Sequence, residues 1–316
     1  MTDKEETVQS VETEFTKFSK SIVDKSTNTQ KNYASQYKKL QLLMWFFNWA
    51  HRKDVEDVRF HGKDIGDMPD TDIIKKIKTL PNVNSQQALL NIAIALQRMA
   101  GKEQDKDSPL IKAREDNKGG IKEIIKDTNL KLQQKLPSYQ QVVDYIDNLF
   151  EIGNFKDFII NWLILHYQVR NADLNFDIVM RKKDATDKDK NYIWLAPNKV
   201  VYIRNVYKTA WKYKTKIYTI TDARMIVALK RMRAFQKHGE AAGTFIPNEN
   251  QVGRYVMNAT LDKMGEGNMF KIVVNHFSHD LQKIHEMSQH RGTSTDTIAE
   301  HYDVANLPIL PRKLLK

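Results

Sequence analysis

The segment HRGTSTDTIAEHY, from His290 to Tyr302, decides how the rest of the chain is interpreted. The small residues Gly292-Thr293-Ser294 predict a turn after a helical pattern, and the residues that follow predict a helix that presents Tyr302. A tyrosine hydroxyl, with a pKa of about 10, is a poor nucleophile until cationic groups surround it. Tyr302 is therefore a candidate nucleophile if the chain supplies those cations, and otherwise one of twelve tyrosines.

The balance of charge favours an anionic partner. The 316 residues include 50 Lys and Arg against 39 Asp and Glu, which gives a net charge of +11. An excess of this kind favours a polyanion, most simply nucleic acid. The alternative is a soluble protein that is merely rich in lysine.

Cysteine is absent from the sequence. Its absence excludes disulfides and cysteine-ligated zinc, and it is compatible with a reducing, intracellular compartment. The longest apolar run, from Phe158 to Tyr167, is interrupted by Asn161 and His166 and is shorter than the roughly 20 residues that a membrane span requires. We therefore expect no membrane span and no membrane partner.

Hydrophobic spacing and composition divide the chain into four parts. Residues 1–26 predict an amphipathic N-terminal helix, and residues 27–103 predict a compact helical unit. Residues 104–135 are dominated by charged side chains and predict a linker that contains one helix, at 121–134. Residues 136–316 predict the second domain.

The second domain interrupts its helices with a short β region. Residues 192–195, 200–203 and 216–220 are rich in β-branched and aromatic side chains, which is typical of strands. Three successive short strands predict an antiparallel meander. The predicted fold class is therefore mainly α with a small antiparallel three-strand sheet (α+β).

Two further segments join the tyrosine segment in one pattern. Val169-Arg170-Asn171-Ala172-Asp173-Leu174 follows an apolar helix, and the lysine-rich segment 207–220 leads into the third predicted strand. Together with Gly292 to Tyr302, these segments resemble the tyrosine recombinase family, the phage-integrase-like DNA strand-transfer enzymes, of a virus or mobile-element type. The resemblance spans residues 27–303.

The resemblance implies catalytic roles for three residues. Tyr302 would attack the phosphodiester, and Arg170 would hold its non-bridging oxygens as charge shifts onto them. Lys208 would protonate the leaving 5′ oxygen and is the best match in its segment. Three neighbouring lysines could take its place: Lys212, Lys214 and Lys216.

Three positions depart from the family pattern. Lys271 stands where the family has a second arginine, Asn268 where it has a histidine, and Thr293 where it has a second histidine. Lysine keeps the positive charge but lacks the two-pronged geometry of a guanidinium, and threonine donates a hydrogen bond without any charge. His290, three residues before Thr293, is a further candidate for the site.

The resemblance also implies a double-stranded DNA partner. Residues 27–103 are similar to the family's helical (SAM-like) core-binding domain and residues 136–316 to its catalytic domain, which together clamp duplex DNA. Recombination would then require a homo-oligomer, a tetrameric synapse on the DNA. The candidate DNA-contacting lysines are Lys31, Lys38, Lys212, Lys214 and Lys216.

No metal or other cofactor is expected. His276, His279, His285 and His290 lie close together in sequence, but no carboxylate pattern of the metalloprotease kind accompanies them. We therefore expect these histidines to be surface or phosphate-facing residues.

Two functional hypotheses follow. The first is site-specific DNA cleavage and rejoining through a 3′-phosphotyrosine intermediate, as in integration or recombination. The second is a recombinase-fold protein with a weakened active site that serves as a DNA-binding or virion structural protein. Either protein would act in the cytoplasm or nucleus of a host cell, or in the virion if it is viral.

Overall fold

The computed structural model describes residues 13–25, 27–45, 64–133, 135–237, 245–246, 249–257 and 264–302. The chain divides into two compact units, Met1–Ile124 and Ile125–Lys316. In the described ranges, no helix is both long and apolar enough to cross a membrane.

The first unit is built from helices that pack around one apolar core. They are α1 (Glu14–Ser21), α2 (Thr27–Trp45), α3 (Asp70–Ile77), α4 (Val83–Met99) and the first part of α5 (Pro109–Gln133). Helix α4 contributes Leu90, Ala93 and Leu96, all fully buried. Their spacing of three residues keeps one face of the helix against the core.

Helix α1 is fixed to the first unit by a buried aromatic side chain and a buried carboxylate. Phe18 lies in the core, and the Glu14 carboxylate accepts hydrogen bonds from the Tyr37 hydroxyl at 3.0 Å and from the Gly66 N–H at 2.8 Å. Burial raises the pKa of Glu14, although both hydrogen bonds oppose that rise. The rest of the predicted N-terminal helix, residues 1–12, lies outside the described residues.

The predicted linker contains a longer helix than the sequence suggested. Helix α5 begins at Pro109, not at residue 121, and continues to Gln133. Pro109 suits the start of a helix because its ring fixes φ and its missing N–H would have had no helical partner. The boundary between the two compact units falls inside α5, at Ile124.

Helices also form most of the second unit. They are α6 (Tyr139–Glu151), α7 (Phe155–Tyr167), the short α8 (Ala210–Tyr213), α9 (Ala223–Lys237), α10 (Glu266–His276), α11 (Leu281–Arg291) and α12 (Thr295–His301). Helix α7 is the central one, since its residues from Phe158 to Leu165 are all buried. Helices α11 and α12 are joined by Gly292-Thr293, and Ser294 caps α12 by accepting from the Thr297 N–H.

The sheet of the second unit has four strands, not the three that the sequence predicted. The three predicted strands are confirmed as β2 (Asn191–Leu195), β3 (Val200–Arg204) and β4 (Lys216–Ile220), which pair antiparallel in that order. The additional strand, β1 (Phe176–Val179), pairs parallel to β2. The sheet is therefore mixed, and the α+β class is retained with one more strand.

Candidate active site

The C-terminal end of α11 gathers polar side chains from several parts of the second unit. The last carbonyls of a helix lack partners within the helix and form the negative end of its dipole, so they attract cations. Here three cationic groups and one hydroxyl donate to four successive carbonyls. The pairs are Lys216 with Gln289, Arg204 with His290, Arg170 with Arg291, and Thr209 with Gly292.

Arg170 reaches this helix end from the segment that follows α7. The buried Val169 anchors the segment, and the half-buried Arg170 donates through Nη1 to the carbonyl of Arg291 at 2.8 Å. Burial and the nearby charge of Arg291 lower the pKa of Arg170, but a guanidinium remains protonated in proteins. Arg170 therefore places a permanent, partly accessible cation at the end of α11.

Arg291 is the buried cation next to the tyrosine. Its side chain is only 2% exposed, and Nη1 pairs with the Glu266 carboxylate at 2.8 Å. Its Nη2 donates to the Tyr302 hydroxyl at 3.3 Å, and its guanidinium lies 4.3 Å from the centre of the Phe270 ring. Burial is the largest influence and opposes the charge, but Glu266 and Tyr302 together outweigh burial, so the pKa of Arg291 is raised. Arg291 is therefore held charged and in place beside Tyr302.

Tyr302 ends α12 with its side chain half-buried. Its ring packs edge-on against Phe270, with ring centres 4.7 Å apart. Glu266 and Phe270 are four residues apart on α10, so they face the same side of that helix and together orient Arg291 and Tyr302. The phenolic oxygen is thus fixed beside one guanidinium, within the electrostatic reach of a second, that of Arg170.

Lys216 is the lysine of the β4 segment that turns inward. Side chains alternate along a strand, so Lys216 and Tyr218 share the face of β4 that looks toward α11, while Ile217 is 64% exposed on the other face. The ammonium group of Lys216 donates to the carbonyl of Gln289 and lies 3.4 Å from that of His290. Burial, followed by the charge of Arg204, lowers the pKa of Lys216 to about 8.

His290 lines the same helix end but is not a cation at neutral pH. Its Nδ1 lies 3.0 Å from the side-chain oxygen of Gln168, and its ring contacts those of Tyr167 and Tyr218. Burial lowers the pKa of His290 to about 4. His290 therefore contributes packing and a hydrogen bond to the site, not charge.

A fully buried ion pair holds the elements of the site together. Arg204, at the end of β3, pairs with Asp173, and both side chains are 0% exposed. Arg204 also donates to the carbonyl of His290 at 2.7 Å, while the Arg170 N–H donates to the Asp173 carboxylate at 2.7 Å. The pair therefore connects the segment of Arg170, the strand β3 and the end of α11.

Lys208, which was predicted as the general acid, does not lie at the end of α11 with the other cations. It is exposed in the turn between β3 and α8, where it forms no hydrogen bond or ion pair with another described residue. Lys212 and Lys214 are exposed as well. Lys31 and Lys38 are exposed on α2, seven residues apart and hence on one face of that helix.

Among the described residues, no hydrogen bond joins Lys271 or Thr293 to the Tyr302 hydroxyl. Lys271 is half-buried on α10, and burial lowers its pKa, but among the described residues it forms no hydrogen bond or ion pair with Arg170, Arg291 or Tyr302. Asn268 lies in the first turn of α10, where its backbone N–H donates to Gly265 at 3.1 Å. Thr293 is half-buried in the turn before α12 and contributes a backbone hydrogen bond to Ser288 at 3.0 Å.

Sequence interpretation did not assign any role to Arg291, Glu266 or Arg204. Arg291 lies in the segment 290–302, directly before Gly292, and its positive charge was the feature that could have identified it. Glu266 and Arg204 carry no such signal, because their partners are 25 and 31 positions away in the chain. Among the described residues, no cluster of three or more His, Cys, Asp or Glu side chains could hold a metal ion.

The chain was compared with protein-family models, with curated proteins and with solved structures. No family model, curated protein or solved structure matches it.

Proposed function

We propose that the protein cuts and rejoins DNA strands through a covalent bond between Tyr302 and a 3′ phosphate. The observation that carries this proposal is the hydrogen bond from Arg291 to the Tyr302 hydroxyl at 3.3 Å, within a cluster that also contains Arg170 and Lys216. The guanidinium of Arg291 orients the phenolic oxygen that would attack the phosphorus.

The exposure of the clustered groups divides them into two sets. Arg170, Lys216 and Tyr302 are half-buried, so a phosphate could reach them from solvent. Arg204 and Arg291 are 0% and 2% exposed and are already paired with carboxylates. We assign the first set to the substrate and the second set to holding the first in position.

The reaction can be written with these groups. The Tyr302 oxygen loses its proton to solvent and attacks the phosphorus, which forms a phosphotyrosine bond and breaks the bond to the 5′ oxygen. The guanidinium of Arg170 stabilises the charge on the non-bridging oxygens. Lys216 donates its proton to the departing 5′ oxygen, since a pKa of about 8 suits an acid at neutral pH. Rejoining reverses these steps.

The geometry favours Lys216 over Lys208 as the general acid. Lys216 shares its surroundings with Arg170, whereas Lys208 is exposed in the turn before α8. Lys208 remains a predicted contact to the DNA backbone, together with Lys31, Lys38, Lys212 and Lys214.

In this proposal the partner is double-stranded DNA, and complete recombination involves a tetrameric synapse inside a host cell or virion. Neither a metal nor an organic cofactor takes part in the steps as written. The net charge of +11 supports the choice of a polyanionic partner.

A second candidate function is supported by the fact that the cations of the site bind groups of the protein itself. Arg291 is neutralised by Glu266, and the charges of Lys216, Arg204 and Arg170 are directed at helix carbonyls. Such an arrangement also suits a protein that binds DNA, or takes part in a virion, with a weakened active site.

A covalent-trapping experiment separates the two candidates. A duplex is first selected from a random-sequence pool by binding to the protein, and then rebuilt with nicks so that the cleaved strand diffuses away. We expect a protein–DNA adduct that survives denaturing electrophoresis and is lost in Tyr302→Phe. The matched control is Tyr145→Phe, a half-buried tyrosine on α6, which should form the adduct normally. Tight binding without any adduct would favour the DNA-binding candidate.

A further inference from the structure

Trp211 is a large aromatic side chain that the fold leaves in solvent. It lies on the short helix α8 and is 77% exposed. Tryptophan is highly buried on average because of its large apolar area, so this ring is free to contact a partner that its charged neighbours also suit. From Val206 to Lys216 inclusive, the chain carries four lysines and no acidic residue.

The segment that presents Trp211 is anchored to the candidate active site. The Tyr207 side chain is buried, and its hydroxyl donates to the carbonyl of Lys214 at 2.6 Å, which closes the segment into a loop. The Thr209 hydroxyl donates to the carbonyl of Gly292 at 2.7 Å. Gly292 leads into α12, which carries Tyr302, so Trp211 has a defined position relative to the nucleophile.

The charge around Trp211 decides the class of partner. Lys208, Lys212 and Lys214 are exposed close to it in the chain, and a surface that combines lysines with an aromatic ring suits a nucleic acid. Lysines bind the phosphates, and the ring stacks on the face of a base. An acidic protein could also satisfy the lysines, but a nucleic acid carries a phosphate and a flat base face together in every nucleotide.

We propose that Trp211 stacks on a nucleobase that is exposed where the DNA strand is interrupted. In an intact duplex each base is already stacked on its neighbours, whereas a gap, or a cut strand whose end has moved away, leaves a base face open. This inference rests on the proposed function in one respect, since strand cleavage is the event that would supply such a base. It assigns the segment that precedes β4, residues 206–215, to recognition of the opened DNA.

The test compares affinities for a mixed-sequence duplex and for the same duplex with a central single-stranded gap. We expect the wild-type protein to bind the gapped duplex about tenfold more tightly, the gain expected from one base–aromatic stack. Trp211→Ala should bind both duplexes with equal affinity, and Trp211→Phe should keep part of the preference. Lys212→Gln should weaken binding to both duplexes alike, because a phosphate contact does not distinguish them.

The outcomes separate this inference from the proposed function. Ile152→Ala, which shortens another exposed apolar side chain at 65% exposure, should retain the preference. Tyr302→Phe should retain it too, because stacking does not need the nucleophile. A preference that depends on Trp211 in a protein that forms no adduct would support the inference and remove the proposed function. A preference for gapped DNA that survives Trp211→Ala, or no preference in the wild type, would overturn the inference.

Discussion

Lys216 is the residue whose protonation should set the pH dependence of strand cleavage. Its pKa is lowered to about 8 by burial and by neighbouring cations, so it is protonated below pH 8 and loses its proton above it. A general acid works only in the protonated form. We therefore expect the slope of log rate of adduct formation against pH to decrease by about one as the pH rises through about 8. The measurement is a rate-against-pH profile in the trapping assay.

Two variants make this expectation specific. Lys216→Arg keeps a positive charge but does not titrate in this range, so it should remove the inflection and lower the rate. Lys208→Arg should leave the inflection in place, since Lys208 is exposed and outside the cluster. An inflection that persists in Lys216→Arg would assign the acid to another group.

The contrast between these two lysines shows what a sequence can supply at the scale of single residues. Arg170 and Tyr302 were predicted because each stands next to a pattern that is visible in the chain. Choosing among Lys208, Lys212, Lys214 and Lys216 requires knowing which one turns inward, and that depends on where β4 begins. Lys216 is the first residue of β4, whereas Lys212 lies in α8 and Lys214 follows that helix, so the start of the strand decides which lysine turns inward.

At the scale of elements, the turn between α11 and α12 depends on the absence of a side chain at Gly292. This residue has φ 64°, and a Cβ there would lie 2.5 Å from the Thr209 hydroxyl and 3.1 Å from the Tyr207 ring. Gly292→Ala should therefore lower the free energy of unfolding by about 2–4 kcal/mol, from backbone strain plus overpacking. It should also reduce adduct formation, because α12 carries Tyr302. Denaturant unfolding and the trapping assay measure the two effects.

Gly153→Ala provides the control for backbone strain alone. Gly153 has φ 75°, and a Cβ there would meet nothing within 4 Å. We expect this variant to cost about 1–2 kcal/mol in unfolding free energy and to leave adduct formation unchanged. Equal losses of stability in the two variants would show that the packing at Gly292 is not tight.

The helices and strands could be predicted from the sequence where their residues show a hydrophobic or β-branched pattern. Strands β2, β3 and β4 were predicted from their β-branched and aromatic residues, and α7 from its long, mainly apolar run. Strand β1 was missed, because four residues after a helical turn are too few to show alternation by themselves. It becomes a strand through pairing with β2, from Phe176 with Asn191 onward, which is a contact distant in sequence. The start of α5 was missed because charged residues dominate its exposed faces.

At the scale of the whole molecule, the site depends on the buried pair of Asp173 and Arg204. Removing one partner of a buried ion pair leaves the other charge without compensation and costs about 3–5 kcal/mol. Asp173→Asn should show a loss of this size in denaturant unfolding, because Arg204 is 0% exposed. The matched control is Asp184→Asn, whose pair with Arg181 is largely exposed and should contribute at most about 1 kcal/mol.

A double variant that also removes the charge of Arg204 separates stability from positioning of the site. Asp173→Asn combined with Arg204→Met removes both buried charges, so this double variant should recover part of the stability that Asp173→Asn loses. It should not recover adduct formation, because Arg204 also holds the carbonyl of His290 and so positions the end of α11 on which Arg170 and Lys216 converge. Recovery of both properties would mean that the pair stabilises the fold without positioning the site. A loss in Asp173→Asn no greater than in Asp184→Asn would refute the role of the pair altogether.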